Sequence, residues 1–374
     1  MAIDGTILMT GGTGTLGREL VRRLAAELTG PRIVVLSRSA LDPCPGFPPG
    51  VQIVRGDLLA GPTLGLPTRV REELSKSVTH VLHCAAETRF TLPLEESRAV
   101  NVGGTRSLLE FARGCRSLRQ IGCFSTVYVA GRRTGPITED DLGDDGAGFV
   151  NSYEQSKNEM ERELRARMPD LPIAVYRLST LIGDSSTGLV TGLNAFHHAL
   201  RLLYHGLAPM MPGDPAHRID VVAVDYVADA ACWLFDRRFE AGRTYHLCSG
   251  PKRSASLAEL IDAVMEAFHH FRPEWRRRGI ERPAIVDLPT YELFARSVEE
   301  TGNEVLLRAT RAVQSFAYQL AYPKTFDRSA TASALAGSGL CPAPVLDYLP
   351  NVVRTCLENE WRTTTWNGTS SNAA

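Results

Sequence analysis

The sequence predicts an α/β protein, a doubly wound parallel sheet joined to a smaller, mainly helical C-terminal lobe. Three observations predict it. Apolar runs alternate with amphipathic helical stretches from residue 1 to about 180, the pattern of a parallel sheet covered on both faces. A glycine-rich stretch, Thr10-Gly11-Gly12-Thr13-Gly14-Thr15-Leu16-Gly17, falls between the first apolar run and the first helical one. After residue 183 the texture changes, through turn-like and Pro/Gly-rich segments, to mainly helical sequence beyond 255.

The elements follow in order. Residues 6–10 read as a buried strand and 15–28 as a helix, because Leu20, Val21, Leu24, Ala25 and Leu28 recur at helical spacing. The glycines therefore sit at a strand-to-helix turn, where backbone N–H groups and the helix dipole favour a pyrophosphate. Gly11, Thr13, Gly14, Thr15, Leu16 and Gly17 are the candidate dinucleotide contacts. The second strand, 32–37, ends in Ser37-Arg38-Ser39. A site for NAD usually has an acid here, to bond the ribose hydroxyls. An arginine with flanking hydroxyls suits a 2′-phosphate instead, so the expected cofactor is NADP(H). Residues 42–50 read as an irregular loop. The third strand, 51–55, runs into Gly56-Asp57-Leu58, where Asp57 is placed either to bond the adenine edge or to cap the turn.

A helix near 68–76, a strand near 79–84 and a helix near 95–113 come next. The strand at 119–125 ends in Ser125-Thr126, and a helix over 151–168 carries Tyr153 and Lys157 on one face. A strand at 173–178 follows, then a helix near 192–206, a strand at 219–224, a helix at 225–236 and a last sheet strand at 244–248. Side chains ending a parallel strand face the cofactor crevice. Tyrosine ionises near pH 10 when unperturbed, and a nearby ammonium is expected to lower that value. Tyr153 then reads as a proton donor to a carbonyl oxygen, with Lys157 beside it and Thr126 or Ser125 as a second donor to the developing oxyanion.

Bulk properties exclude other classes. The 374 residues are 44% hydrophobic with a net charge of −1, which gives no general attraction to nucleic acid or anionic membranes. No apolar stretch approaches the ~20 residues of a membrane span, and no signal-peptide pattern opens the chain. Eight cysteines lie apart from one another, without metal-ligand spacing. They read as reduced thiols in a cytoplasmic protein. The pairs His197-His198 and His269-His270 lack partners at ligand spacing, and no metal is expected. The run from Arg272 to Arg282 reads as a solvated face, with an acidic carrier protein or coenzyme A phosphates as the alternative.

With these motifs in hand, the chain resembles the extended short-chain dehydrogenase/reductase family over roughly its first 250 residues. His83-Cys84-Ala85-Ala86, Asn101-Val102-Gly103-Gly104-Thr105 and Asp220 to Tyr226 add to the likeness. The resemblance implies that Cys84, Ala85 and Ala86 line the cofactor, and that Asn101 steadies the active-site lysine. On the residue's own pattern Asn101 also reads as a helix N-cap. Phe124 to Gly131 and Arg177 to Gly188 resemble the thioester-reductase and fatty acyl-CoA reductase branch, although Leu178 and Ala223 stand where proline is usual. That branch implies NADPH-dependent reduction of an acyl thioester, on coenzyme A or an acyl or peptidyl carrier protein, to aldehyde or alcohol. The competing readings are a ketone or hydroxysteroid-type dehydrogenase, a nucleotide-sugar epimerase or dehydratase, and a non-catalytic NADP-binding scaffold. Arg38 disfavours the NAD-using epimerases, and the Tyr–Lys pair disfavours the scaffold. The expected division is a Rossmann domain over 1–183 and 219–249, a substrate lobe over 184–218 and 250–362, and a disordered tail over 363–374.

Overall fold

The computed structural model describes residues 3–27, 30–39, 46–143 and 146–363. Cys44, the start of the 42–50 loop and the expected tail from residue 364 onward lie outside them. Seven strands form one sheet: β1 (Thr6–Thr10), β2 (Arg32–Ser37), β3 (Gln52–Arg55), β4 (Val78–His83), β5 (Gln120–Thr126), β6 (Ile173–Leu178) and β7 (Thr244–Leu247). Their order is β7-β6-β5-β4-β1-β2-β3, and every neighbouring pair is parallel. The chain winds from β1 to β3 in one direction and returns to β4 on the other side of β1. Connections leaving β1 and β4 therefore diverge and open a crevice at their carboxyl ends.

Helices α1 (Thr15–Glu27), α2 (Thr68–Ser77), α3 (Leu94–Arg98), α4 (Gly104–Arg113), α5 (Ser152–Arg167), α6 (Ala195–Tyr204) and α7 (Val224–Arg237) follow the alternation. Leu20, Val21 and Leu24 of α1 pack with Val227, Ala231 and Leu234 of α7 on the face of the sheet that shows Ile7, Met9 and Val35. Leu108 and Leu109 of α4 pack with Met160 and Leu164 of α5 on the face that shows Leu8, Val34 and Val81. With both faces covered, the central strands have no wet side, which is why they read as continuous apolar runs.

Two expected elements are different in the structure. The helix anticipated over 95–113 is interrupted by a π-helical turn at Ala99–Gly103. Asn101 sits in that turn and is not an N-cap. Its carbonyl accepts from Thr105 Oγ1 at 2.6 Å and its side chain is held by Glu87, so the extra residue is accommodated rather than squeezed out. The strand anticipated over 219–224 is two short pieces outside the main sheet. Arg218–Ile219 pairs antiparallel with Ala255–Ser256, and Val221–Val222 pairs parallel with Thr180–Leu181. Asp220 separates them, because its buried carboxylate turns aside to accept the Ser249 and Gly250 N–H groups at 2.9 and 2.7 Å.

Beyond the sheet lie α8 (Leu257–Phe271), α9 (Leu288–Thr301), α10 (Glu304–Leu320), α11 (Ser329–Ala334) and α12 (Val345–Glu358). Leu200 and Leu203 of α6, Leu260, Ile261 and Val264 of α8, and Leu349, Val352 and Val353 of α12 form a core of their own with Trp275. This part is laced back to the sheet. Lys324–Phe326 pairs with Gly135–Ile137. The buried Glu139 carboxylate accepts from the backbone of His246, Ala330 and Thr331.

Candidate active site

Two cavities meet at the carboxyl ends of β1, β4, β5 and β6. The first, of about 590 Å³, is lined by Gly11, Thr13, Gly14, Thr15, Leu16 and Gly17, by Ser37, Arg38, Asp57 and Leu58, by Cys84, Ala85 and Ala86, and by Ser125, Tyr153 and Lys157. The sequence candidates from residue 11 to residue 157 thus converge here, with Thr126 and Asn101 adjoining.

The glycine turn is built for close approach. Gly11 has φ +70, and a Cβ there would strike the backbone of Cys84 and Ala85. A Cβ on Gly17 would strike the Gly11 carbonyl oxygen. The turn closes by the Gly14 N–H donating to that oxygen at 3.0 Å. The first turn of α1 carries no acidic side chain, so its positive end faces the cavity uncompensated. This cradle fits a dinucleotide pyrophosphate. Arg38 is exposed at the rim between Ser37 and Ser39. Asp57 caps the turn that follows it, its Oδ1 accepting the Leu59 N–H at 2.9 Å, while also lining the cavity.

Asn151 caps α5 by accepting the Glu154 N–H at 2.9 Å, which fixes the register that carries Tyr153 and Lys157 into the cavity. Lys157 is buried, and its Nζ donates to the Phe124 carbonyl at 2.8 Å, tying the helix to β5. Asn101 Nδ2 donates to the Glu87 carbonyl at 3.0 Å and to Ser156 Oγ at 2.9 Å, and its Oδ1 accepts the Glu87 N–H at 2.8 Å. It therefore locks the segment after β4 against the helix one residue before Lys157. Beneath it, Thr10 Oγ1 and Thr105 Oγ1 hold the two ring nitrogens of buried His83 at 2.7 and 2.8 Å.

The electrostatics correct one expectation. Burial pushes the Tyr153 phenol up to about 12, against a hydrogen bond with Thr126 that pulls it down. Burial likewise pushes the Lys157 ammonium down to about 8. Desolvation outweighs any lowering of the phenol by the lysine, whose proton-bearing nitrogen points at the Phe124 carbonyl. The two strand-end hydroxyls also differ. Thr126 Oγ1 donates to the Leu178 carbonyl at 3.2 Å and accepts the Tyr128 N–H at 3.2 Å. Ser125 Oγ is buried with no hydrogen-bond partner.

The second cavity, of about 640 Å³, shares Thr15, Thr88, Ser125, Tyr153, Leu178 and Leu181 with the first and continues between α6 and α8. Sequence reasoning missed Phe90, whose ring lies 5.5 Å from that of Tyr153. A lone aromatic in the polar run Glu87 to Thr91 was the available signal. It also missed Gln319, whose Nε2 donates to Glu154 Oε1 at 2.6 Å across 165 residues, for which the sequence carries no local signal. Among the described residues no group of His, Cys, Asp and Glu is arranged to hold a metal ion, and no helix is long and apolar enough to cross a membrane.

The NAD-binding family described as male sterility protein matches residues 48–231. A component of the linear gramicidin synthase of Brevibacillus parabrevis is 26% identical over 283 residues, 69% of this chain and 5% of that protein. The non-canonical nonribosomal peptide synthetase FrzA of a Cladobotryum species is 29% identical over 339 residues, 79% of this chain and 32% of that protein. The chain thus spans less than a third of either relative. The crystal structure of the terminal R domain from the myxalamid PKS-NRPS biosynthetic pathway superposes with a TM-score of 0.78 at 25% identity, covering 97% of this chain and 92% of that one. These likenesses support placing the chain in the extended short-chain dehydrogenase/reductase family, beside the thioester reductases.

Proposed function

We propose that the chain is an NADPH-dependent reductase of an acyl thioester, carried on coenzyme A or on the phosphopantetheine arm of a carrier protein, yielding an aldehyde or its alcohol. The observation that carries this reading is the pair Ser125 and Tyr153, which line both the glycine-cradled cavity and the largely apolar one. A carbonyl between the two cavities would meet the proton donor on one side and the cofactor on the other. Two relatives are a peptide synthase and a peptide synthetase, and the superposed structure is a terminal R domain of a further PKS-NRPS pathway, which supports a carrier-bound substrate. In this reading residues 1–183 and 219–249 hold the cofactor, residues 184–218 and 250–362 shape the substrate site, and the protein works in the cytoplasm.

Gly11, Thr13, Gly14, Thr15, Leu16 and Gly17 would hold the pyrophosphate, Ser37 and Arg38 the 2′-phosphate, Asp57 and Leu58 the adenine end, and Cys84, Ala85 and Ala86 the wall beside them. NADPH, when bound, supplies a hydride to the carbonyl carbon. Tyr153, protonated across the neutral range, gives its proton to the carbonyl oxygen as charge builds there. Ser125, whose hydroxyl has no other partner, donates to the same oxygen. Thr126 orients Tyr153, Lys157 holds positive charge next to the site, and Asn101 positions the helix that carries both. The resulting hemithioacetal releases the thiol and leaves the aldehyde. The test follows NADPH oxidation and free-thiol release together, with acyl-pantetheine substrates. Equal initial amounts of thiol and aldehyde are expected. Ketone reduction without thiol release, or turnover of a sugar nucleotide, overturns the reading.

A further inference from the structure

The second cavity has a directional chemistry. At its shared end it offers Ser125 and Tyr153. Away from that end its wall is a stripe of buried aliphatic side chains. Leu257, Leu260, Ile261 and Val264 recur along one face of α8, opposite Leu200 and Leu203 of α6. The orientation of both helices follows from their tethers. Asn194, the residue before α6, donates from Nδ2 to the Leu181 carbonyl at 2.6 Å. Ser256, the residue before α8, pairs with Arg218 beside the strand that joins Thr180–Leu181. Leu181 also lines the cofactor cavity. Both helices therefore start at the reactive end and run away from it. Val264 lies about two turns, roughly 10 Å, beyond Leu257, and Leu203 lies near the far end of α6.

Three polar side chains on this wall are already engaged, while His198 in the first turn of α6 also lines it. Asn194 Oδ1 accepts the Phe196 N–H at 3.0 Å, Gln319 is bound to Glu154, and Thr180 Oγ1 meets Tyr128 at 3.4 Å. Arg89, at the opening, is paired with Glu87 at 2.8 Å. Beyond that first turn a charged or strongly polar acyl group would find no free partner along the stripe and would be desolvated without return. A flexible aliphatic chain would displace water from apolar walls and gain with each methylene buried.

We infer that the acyl group is an aliphatic chain lying between α6 and α8, and that Val264 and Leu203 set the length it can reach. This rests on the thioester reading for its reaction, but not for its binding. With acyl-pantetheines from butyryl to palmitoyl, kcat/KM should rise about fourfold per methylene, the ratio equivalent to ~0.8 kcal/mol per buried CH₂, and then level off. Val264→Phe should move the plateau to shorter chains. Val264→Ala and Leu203→Ala, which open space without crowding the core, should move it to longer ones. Chains ending in a carboxylate should be poor substrates. A profile flat in chain length, or a plateau unmoved in the folded alanine variants, overturns the inference. Straight-chain alcohols, competed against a fluorescent fatty acid, separate the two readings. Length-dependent affinity that shifts with the variants upholds the chain site even if no thioester is reduced. Thioester reduction with no length dependence in either assay removes the chain site and leaves the reductase.

Discussion

Ser125 and Thr126 are neighbours in sequence with unlike fates. Strand alternation sends them to opposite faces of β5. Thr126 bonds the Leu178 carbonyl and caps the following turn, while Ser125 keeps an unpartnered hydroxyl in the shared wall. Ser125→Ala is therefore expected to lower turnover with little effect on folding, by about a hundredfold if it serves as one oxyanion donor. Thr126→Val should cost stability as well as activity. Tyr153→Phe should lose on the order of a hundredfold or more in turnover while cofactor titration stays near normal, and a near-normal rate in that variant removes Tyr153 as the acid. The lysine supplies a pH signature. Its folded value is depressed to about 8, chiefly by burial, so its charge is present below that pH and is lost as pH rises through it. Activity should fall along a basic limb near pH 8. Lys157→Arg keeps the charge at all working pH, so the limb should move upward in whatever activity remains. An unchanged limb assigns it to another group.

At the level of elements, the proposed function makes one binding surface of the turn between β1 and α1 and the end of β2. The first works through backbone, since a side chain at Gly11 or Gly17 would collide with neighbouring main chain. The second would work through Arg38, exposed between two serines at the cavity rim. Arg38→Glu is expected to weaken NADPH and improve relative use of NADH, as read by fluorescence titration of both cofactors. A wild type that already prefers NADH refutes the 2′-phosphate assignment. Helix α5 belongs to this scale too. Its N-terminal turn is gripped from the C-terminal part by Gln319 through Glu154, whose carboxyl is pushed up by burial. The wall of the second cavity and the helix that carries Tyr153 are thereby fastened to one another.

Across the molecule, four histidines are buried as neutral rings. Burial holds His80 and His197 at about 4, and His83 and His246 at about 3. Their unfolded value is near 6.5. The folded state thus binds fewer protons than the unfolded chain between these limits, so stability is full above pH 6.5 and falls as pH drops toward 3. Each contributes a slope of up to about 1.4 kcal/mol per pH unit. Glu154 and Asp220, both raised by burial, act in the opposite sense and offset part of it. The melting temperature should decline steadily from pH 7 to 5. His197→Gln, away from the reacting groups, should flatten the decline, and a wild-type melting temperature constant over that range refutes the linkage.

The sequence by itself determined the parallel sheet, the glycine turn at its first strand and the four-residue spacing of Tyr153 and Lys157. Each is written in local periodicity or short-range steric demand, which do not depend on distant residues. It did not show the π turn at Asn101 or the split strand at Asp220, because both arise where a buried polar side chain competes with regular pairing. Tertiary structure alone decided the aliphatic cavity, whose walls come from segments as far apart as Thr88 and Leu320. It decided which strand-end hydroxyl stays without a partner. It also decided the direction in which Tyr153 and Lys157 titrate, since desolvation depends on what packs around a group, and residue spacing carries no record of that.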